Sequence, residues 1–173
     1  MGNKNVRNIC ITALLTALTA LCTAYISVPM PSSAGYVHFG DAIIMISACL
    51  LDFPYALFVG ALGGAVADLI TGFAVYAPYT IVIKLLLAFC YSSKKEKIVN
   101  TRNIIGFAPS IVITVGGYYL AEVMISGNWI SPIAATVPGN LIQSIGSIVV
   151  FIVLGIAMDK LNFKKNILKL KDK

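Results

Sequence analysis

Long apolar runs alternate with short polar or turn-rich connections along the chain, falling at about 8–28, 41–72, 78–92, 104–125 and 136–158. Runs of this kind predict helices that cross a bilayer, whose hydrocarbon core of about 30 Å takes roughly 20 helical residues. The second run is too long for one helix, because its 32 residues would extend about 48 Å. Leu51, Asp52, Phe53 and Pro54 lie in its middle, and a proline disfavours helical geometry in the residue before it. The pattern therefore predicts an all-α integral membrane protein. Its six transmembrane helices would lie at about 8–28, 41–52, 54–72, 78–92, 104–125 and 136–158, in a single compact bundle covering residues 1–173.

Charge gives an independent check, since cytoplasmic loops carry an excess of lysine and arginine. Lys4 and Arg7 precede the first run, Lys94, Lys95, Lys97 and Arg102 share one connection, and Lys160, Lys164, Lys165, Lys169, Lys171 and Lys173 form the tail. If all three groups face the cytoplasm, the spans between successive groups must be even in number, and splitting 41–72 gives four and then two. Both termini are then cytoplasmic, and the outer loops at about 29–40, 73–77 and 126–135 contain no lysine or arginine. The second span has only about a dozen residues, so it must be tilted, covered by neighbouring chain, or placed where the bilayer is thin.

Composition agrees: 58% hydrophobic residues, 12% charged and a mean hydropathy of +0.89 exclude an ordinary soluble domain. The setting expected is a cell membrane, crossed several times by the chain. The net charge of +6 sits in the loops and reports topology, so nucleic acid is not an expected partner. Cys10, Cys22, Cys49 and Cys90 lie in or beside apolar runs without metal-ligand spacing, and they read as small hydrophobes. Neither a nucleophile motif nor a phosphate-cradling glycine loop is present, so no enzyme, metal or cofactor is expected. Gly60, Gly63 and Gly64 read as close helix packing.

Lys84 breaks the apolar pattern, lying inside 79–90. A lysine in hydrocarbon costs on the order of 3 kcal/mol, so its default reading is functional. With the fourth span running inward from Pro78, Lys84 lies about 9 Å below the outer end. Asp68 and Glu122 fall about one turn from the outer ends of the third and fifth spans, and Asn140 and Gln143 lie on one face of the sixth. These residues converge on the outer third of the bundle. They form either a substrate site, or structural contacts in which Lys84 pairs with Asp68 or Glu122, or part of an ion relay. A relay would continue across the membrane, whereas the inner halves hold almost no ionisable group but Asp52 at a loop. Tyr36, His38 and Asp41 in the first outer loop, Phe73, Tyr76 and Tyr79 near the second, and Trp129 in the third are further candidate contacts. The aromatic residues serve either as interface anchors or as faces that stack on a flat heterocycle. His38 by itself reads as a solvated loop histidine.

The first span carries Ala13, Ala17, Ala20 and Ala24, a stripe of small residues against which another helix can pack, within the bundle or on a partner. The chain resembles the substrate-binding S components of energy-coupling factor (ECF) transporters. Ala13-xxx-Ala17, Tyr36-Val-His-Phe-Gly-Asp41, Gly64-Ala-Val-Ala-Asp68-Leu, Ala77-Pro-Tyr-Thr80 with Lys84, and Pro138-Gly-Asn140-Leu-Ile-Gln143 carry the resemblance, in order, over nearly the whole chain. The branch of hydroxymethylpyrimidine and pyridoxine carriers is the most similar. The resemblance implies capture of a small water-soluble vitamin or precursor, held among helices four to six beneath the first loop. It also implies docking through Ala13 and Ala17 on a transmembrane T subunit that works with two ATPase subunits. The rival readings are a self-sufficient secondary transporter or channel, and a structural membrane subunit without a ligand.

Overall fold

The computed structural model describes residues 3–29 and 36–169. Helix α1 (Asn3–Tyr25) leads into strands β1 (Ser27–Pro29) and β2 (Tyr36–His38), followed by α2 (Gly40–Leu50) and α3 (Tyr55–Thr71). After a short 3₁₀ turn at Ala74–Tyr76 come α4 (Ala77–Phe89), α5 (Thr101–Ile105), α6 (Phe107–Ser126), α7 (Ser131–Ala135), α8 (Val137–Lys160) and α9 (Phe163–Lys169). Three helical runs, Asn5–Tyr25, Thr101–Ser126 and Ser131–Lys160, are long and apolar enough to cross a membrane, and Gly40–Leu50, Tyr55–Thr71 and Ala74–Phe89 are shorter apolar helices.

The all-α expectation holds for the bundle, with one addition in a connection. The segment after α1 forms an antiparallel ribbon in which Ser27 pairs with His38, Val28 with Val37 and Pro29 with Tyr36. A connection lying over buried groups must satisfy its backbone amides and carbonyls, and a short ladder does so where valine and tyrosine favour extended geometry.

The long apolar run divides where proline stands. Helix α2 ends at Leu51 with φ −103° and ψ 144°, and Pro54 caps the start of α3. Helix α2 is the centre of the bundle: nine of its eleven residues are buried, and it packs on α1, α3, α4 and α8. A helix that is apolar all round belongs inside a bundle, which explains how so short an element is accommodated. Its Ala42, Ile44, Met45, Ile46, Ala48 and Cys49 join Leu87, Ala88, Tyr91, Ile98 and Phe151 in one core. Gly72 ends α3 and Gly127 ends α6 with φ of 84° and 70°, the left-handed geometry that glycine supplies at helix C-termini.

Helix α3 lies close to both α1 and α4 because of three glycines. A Cβ on Gly60 would stand 2.8 Å from the Lys84 carbonyl oxygen, one on Gly63 2.8 Å from Thr19, and one on Gly64 2.7 Å from Thr80 Cγ2. At the opposite end of the helices, polar side chains pin the α4–α5 connection. Asp159 accepts from the amides of Ile98 at 2.7 Å and Val99 at 2.9 Å, and buried Asn103 donates to the Ile98 carbonyl at 2.9 Å. Arg102 donates to the Cys90 carbonyl at 2.7 Å, while the Lys164 ammonium donates to the carbonyls of Ser93 and Lys95. Lys171 and Lys173 of the tail lie outside the described residues.

Candidate functional site

Near the ribbon, a cavity of about 170 Å³ opens between α3, α4, α6 and α8. Each helix contributes side chains one turn apart, the spacing that puts residues on one face. Helix α3 brings Gly64 and Asp68, α4 brings Thr80 and Lys84, α6 brings Tyr118 and Glu122, and α8 brings Thr136, Gly139, Asn140 and Gln143. His38 closes the wall from β2, Thr23 from α1, and Phe73 and Tyr76 from the turn before α4.

Lys84 is buried, and its ammonium pairs with Asp41 Oδ1 at 2.6 Å. This changes the sequence expectation, which offered Asp68 or Glu122 as the counter-ion. Asp41 stands in the first turn of α2, where the positive end of the helix dipole favours a carboxylate; no side-chain capping bond forms there. The Lys84 ammonium also lies 5.1 Å from the centroid of the Tyr118 ring, within cation–π range. Gly64 leaves room for its stem, since a Cβ there would meet Lys84 Cγ at 3.2 Å.

Gln143 is a fastener. Its Oε1 accepts from the His38 amide at 2.5 Å, and its Nε2 donates to the His38 carbonyl at 2.7 Å and to Ser147 Oγ at 3.1 Å. Most of its bonding is thus directed to β2 and its own helix, tying the ribbon to α8, and its amide also bonds the Asp41 carboxylate of α2. His38 is buried, not solvated, and its Nδ1 accepts from the Gly40 amide at 3.2 Å. Burial pushes its pKa down to about 4, with the positive Lys84 adding to the fall and Asp41 opposing it; the ring is neutral at pH 7, with its proton on Nε2.

Tyr76 donates to Glu122 Oε2. Burial, then this bond and the carboxylate's charge, push the Tyr76 phenol up to about 12, so it remains a donor. Thr80 and Tyr118 hydroxyls share a bond of 3.1 Å, and Asn140 Nδ2 donates to the Thr136 carbonyl at 2.9 Å. Asp68 is buried and its Oδ2 has no hydrogen-bond partner among the described residues.

Eight of the residues expected from sequence, Lys84, Glu122, Asn140, Gln143, His38, Asp68, Phe73 and Tyr76, line this one cavity. Tyr79 does not line it. Trp129 is 63% exposed, and only its carbonyl is engaged, by the Tyr119 hydroxyl at 3.0 Å. Tyr36 pairs through its backbone in β2, and its side chain lies outside the described part of the structure. Sequence reasoning passed over Tyr118, whose signal was a polar stripe four residues apart on α6: Ser110, Thr114, Tyr118 and Glu122. It also named Asp41 as a loop contact without pairing it with Lys84. Among the described residues, no group of three or more His, Cys, Asp or Glu side chains is placed to hold a metal ion. Ala13 and Ala17 lie elsewhere, on a groove of α1 and α3 with Ile9, Thr16, Phe58, Leu62 and Val66.

Membrane-capable helices enclosing a polar cavity beneath a ribbon define a membrane protein with space for a small solute. The family profile described as "ECF-type riboflavin transporter, S component" matches residues 3–160, and the chain belongs to that family. The family is one of transporter S components and not of enzymes. The "Thiamine precursor transporter HmpT" of Lactococcus lactis subsp. cremoris (strain MG1363) is 28% identical over 135 residues, 78% of this chain and 77% of that protein. An "Uncharacterized protein in gap 3'region" of Pyrococcus woesei is 42% identical over 62 residues, 36% of this chain; the match spans 41% of that relative. A solved structure of the S component of a bacterial ECF transporter superposes with a TM-score of 0.73 at 16% identity, covering 91% of this chain and 98% of the other. That likeness establishes the fold.

Proposed function

We propose that this chain is a six-span S component of a prokaryotic cell membrane, with both termini cytoplasmic. It captures a single-ring, water-soluble vitamin or precursor from outside, of the pyridoxine or hydroxymethylpyrimidine kind. The observation that carries this reading is the cavity itself. At about 170 Å³ it falls below the roughly 300 Å³ at which sites for drug-sized ligands begin, and beside the ~150 Å³ cavity that holds a benzene ring. A single ring fits that space, which supports a solute smaller than a tricyclic flavin. The charges point the same way. Lys84 is neutralised by Asp41, and the remaining carboxylates, Asp68 and Glu122, disfavour an anion such as pantothenate. Asn140 and Lys84 supply polar contacts to ring heteroatoms, and Phe73 and Tyr76 supply an aromatic wall.

Delivery inward belongs, on this reading, to a T subunit and two ATPase subunits. Supporting it are the basic residues of the sequence, which apart from Lys84 fall before the first span, between the fourth and fifth, and after the sixth, and the apolar groove around Ala13 and Ala17.

Equilibrium titration of the purified protein against pyridoxine, hydroxymethylpyrimidine, riboflavin and pantothenate tests the capture reading. Saturable binding confined to a single-ring compound is expected. Failure of every compound with the thermal transition intact would overturn it in favour of a structural subunit. Solute flux in liposomes containing this chain alone would instead favour a self-sufficient transporter.

A further inference from the structure

Among the charged groups lining the cavity, Asp68 stands apart. Lys84 is held by Asp41 at 2.6 Å, and Glu122 accepts from Tyr76. The Thr80 hydroxyl lies against the Asp68 carboxylate, yet Oδ2 is left without a donor, in a side chain 7% exposed that faces the cavity. Its helix makes matters worse. Asp68 lies in the last turn of α3, and its own carbonyl accepts from the Phe73 amide at 2.8 Å; the negative end of a helix dipole disfavours a carboxylate there. Asp41, in the first turn of α2 with an ammonium beside it, has the opposite surroundings. A buried carboxylate oxygen with spare accepting capacity calls for a donor from whatever fills the space before it.

We infer that Asp68 is the specificity-determining residue of this cavity, selecting a ring that carries an N–H donor, an exocyclic amine, over the same ring carrying an oxo group. The inference rests on the single-ring capture reading above and adds the polarity of one ligand edge. Solvent in an open cavity can satisfy Oδ2, so a ligand that displaces it must reproduce the bond or lose affinity. An amine does so. An oxo oxygen would point a second acceptor at the carboxylate, leaving both unpaired and repelling each other. Lys84 beside it can donate to the adjacent ring nitrogen, so the donor and acceptor of an amine-bearing edge both find partners. Sites built around such a bond reject the analogue lacking it far more strongly than apolar pockets reject a missing methylene.

The test is a matched pair titrated calorimetrically against the full purified chain: hydroxymethylpyrimidine with its amine, and the analogue in which that amine is replaced by oxo. The wild type should bind the amine at least on the order of 100-fold more tightly. In Asp68→Asn, whose amide both donates and accepts, the ratio should fall below about tenfold, mainly through tighter binding of the oxo compound. Equal binding of the two by the wild type overturns the inference, as does a ratio unchanged in Asp68→Asn. If that variant does not fold, Asp68→Ser, whose hydroxyl also donates and accepts, takes its place, and a wild-type ratio near one overturns the inference in either case. If neither pyrimidine nor any other single-ring compound binds to protein with an intact thermal transition, the capture reading fails and takes this inference with it. Binding of pyridoxine without either pyrimidine overturns the inference alone.

Discussion

At the scale of single residues, the buried Lys84–Asp41 pair sets what substitution will do. Removing the ammonium strands a buried carboxylate, which costs about 3–5 kcal/mol. Lys84→Met should therefore lower the thermal midpoint of the protein. Lys84→Met combined with Asp41→Leu should recover most of that loss, because a pair replaced by apolar groups is close to neutral; a double variant as unstable as the single would show that Asp41 is not the partner. His38 provides a pH dependence of defined sign. Its folded pKa, about 4 against an ordinary 6.5, means that the unfolded chain binds the extra proton. Stability is full above about 6.5 and declines as pH falls toward 4, by about 2 kcal/mol at pH 5. Thermal unfolding at pH 7 and pH 5 reads this, and His38→Asn, which keeps an acceptor for the Gly40 amide, should flatten the difference. Lys84 was legible in the sequence because charge in an apolar run stands out. Asp41 was not legible as its counter-ion, because nothing in the linear order says which of three carboxylates a lysine reaches.

At the scale of elements, close approach of α3 to α4 is what lets Lys84 lie across α3 toward Asp41. Gly60→Ala would place its Cβ 2.8 Å from the Lys84 carbonyl oxygen, a backbone atom that cannot swing away. The helices must separate, at a cost of about 1–3 kcal/mol. Gly116→Ala on α6 meets nothing within 4 Å and should be neutral or stabilise by up to ~1 kcal/mol, since alanine is the better helix former. Thermal unfolding of the two variants separates packing from propensity, and equal effects would contradict the packing account. The break in the long apolar run was legible from Pro54, and the glycines from their spacing. The ribbon was not: three residues on each side carry no periodic signal, and its register depends on Gln143, 105 positions away from His38. The same distance hid the bonds of Gln143 to β2, which its spacing from Asn140 on the cavity face does not announce.

At the scale of the whole molecule, the proposed reading puts solute capture and partner docking on different surfaces of α1. Thr23 is the part of that helix that reaches the cavity wall. Ala17 lies six residues earlier in the chain, about 9 Å along the axis, and Ala13 a further turn away. Both alanines are exposed on the groove shared with α3, whose lining is almost wholly apolar. Small side chains there let another helix approach to backbone distance. A tryptophan would fill the groove without touching α2 or the cavity. On the proposed reading, Ala13→Trp or Ala17→Trp should leave the dissociation constant for the captured solute within about twofold of the wild type. Either should abolish ATP-dependent uptake in vesicles containing the complete transporter. Binding by titration and uptake by radiolabelled solute must therefore be measured on the same variants. Equal loss of both would mean that the groove supports the fold of the site, and uptake undiminished with tryptophan in place would mean that the groove faces lipid and the T subunit docks elsewhere.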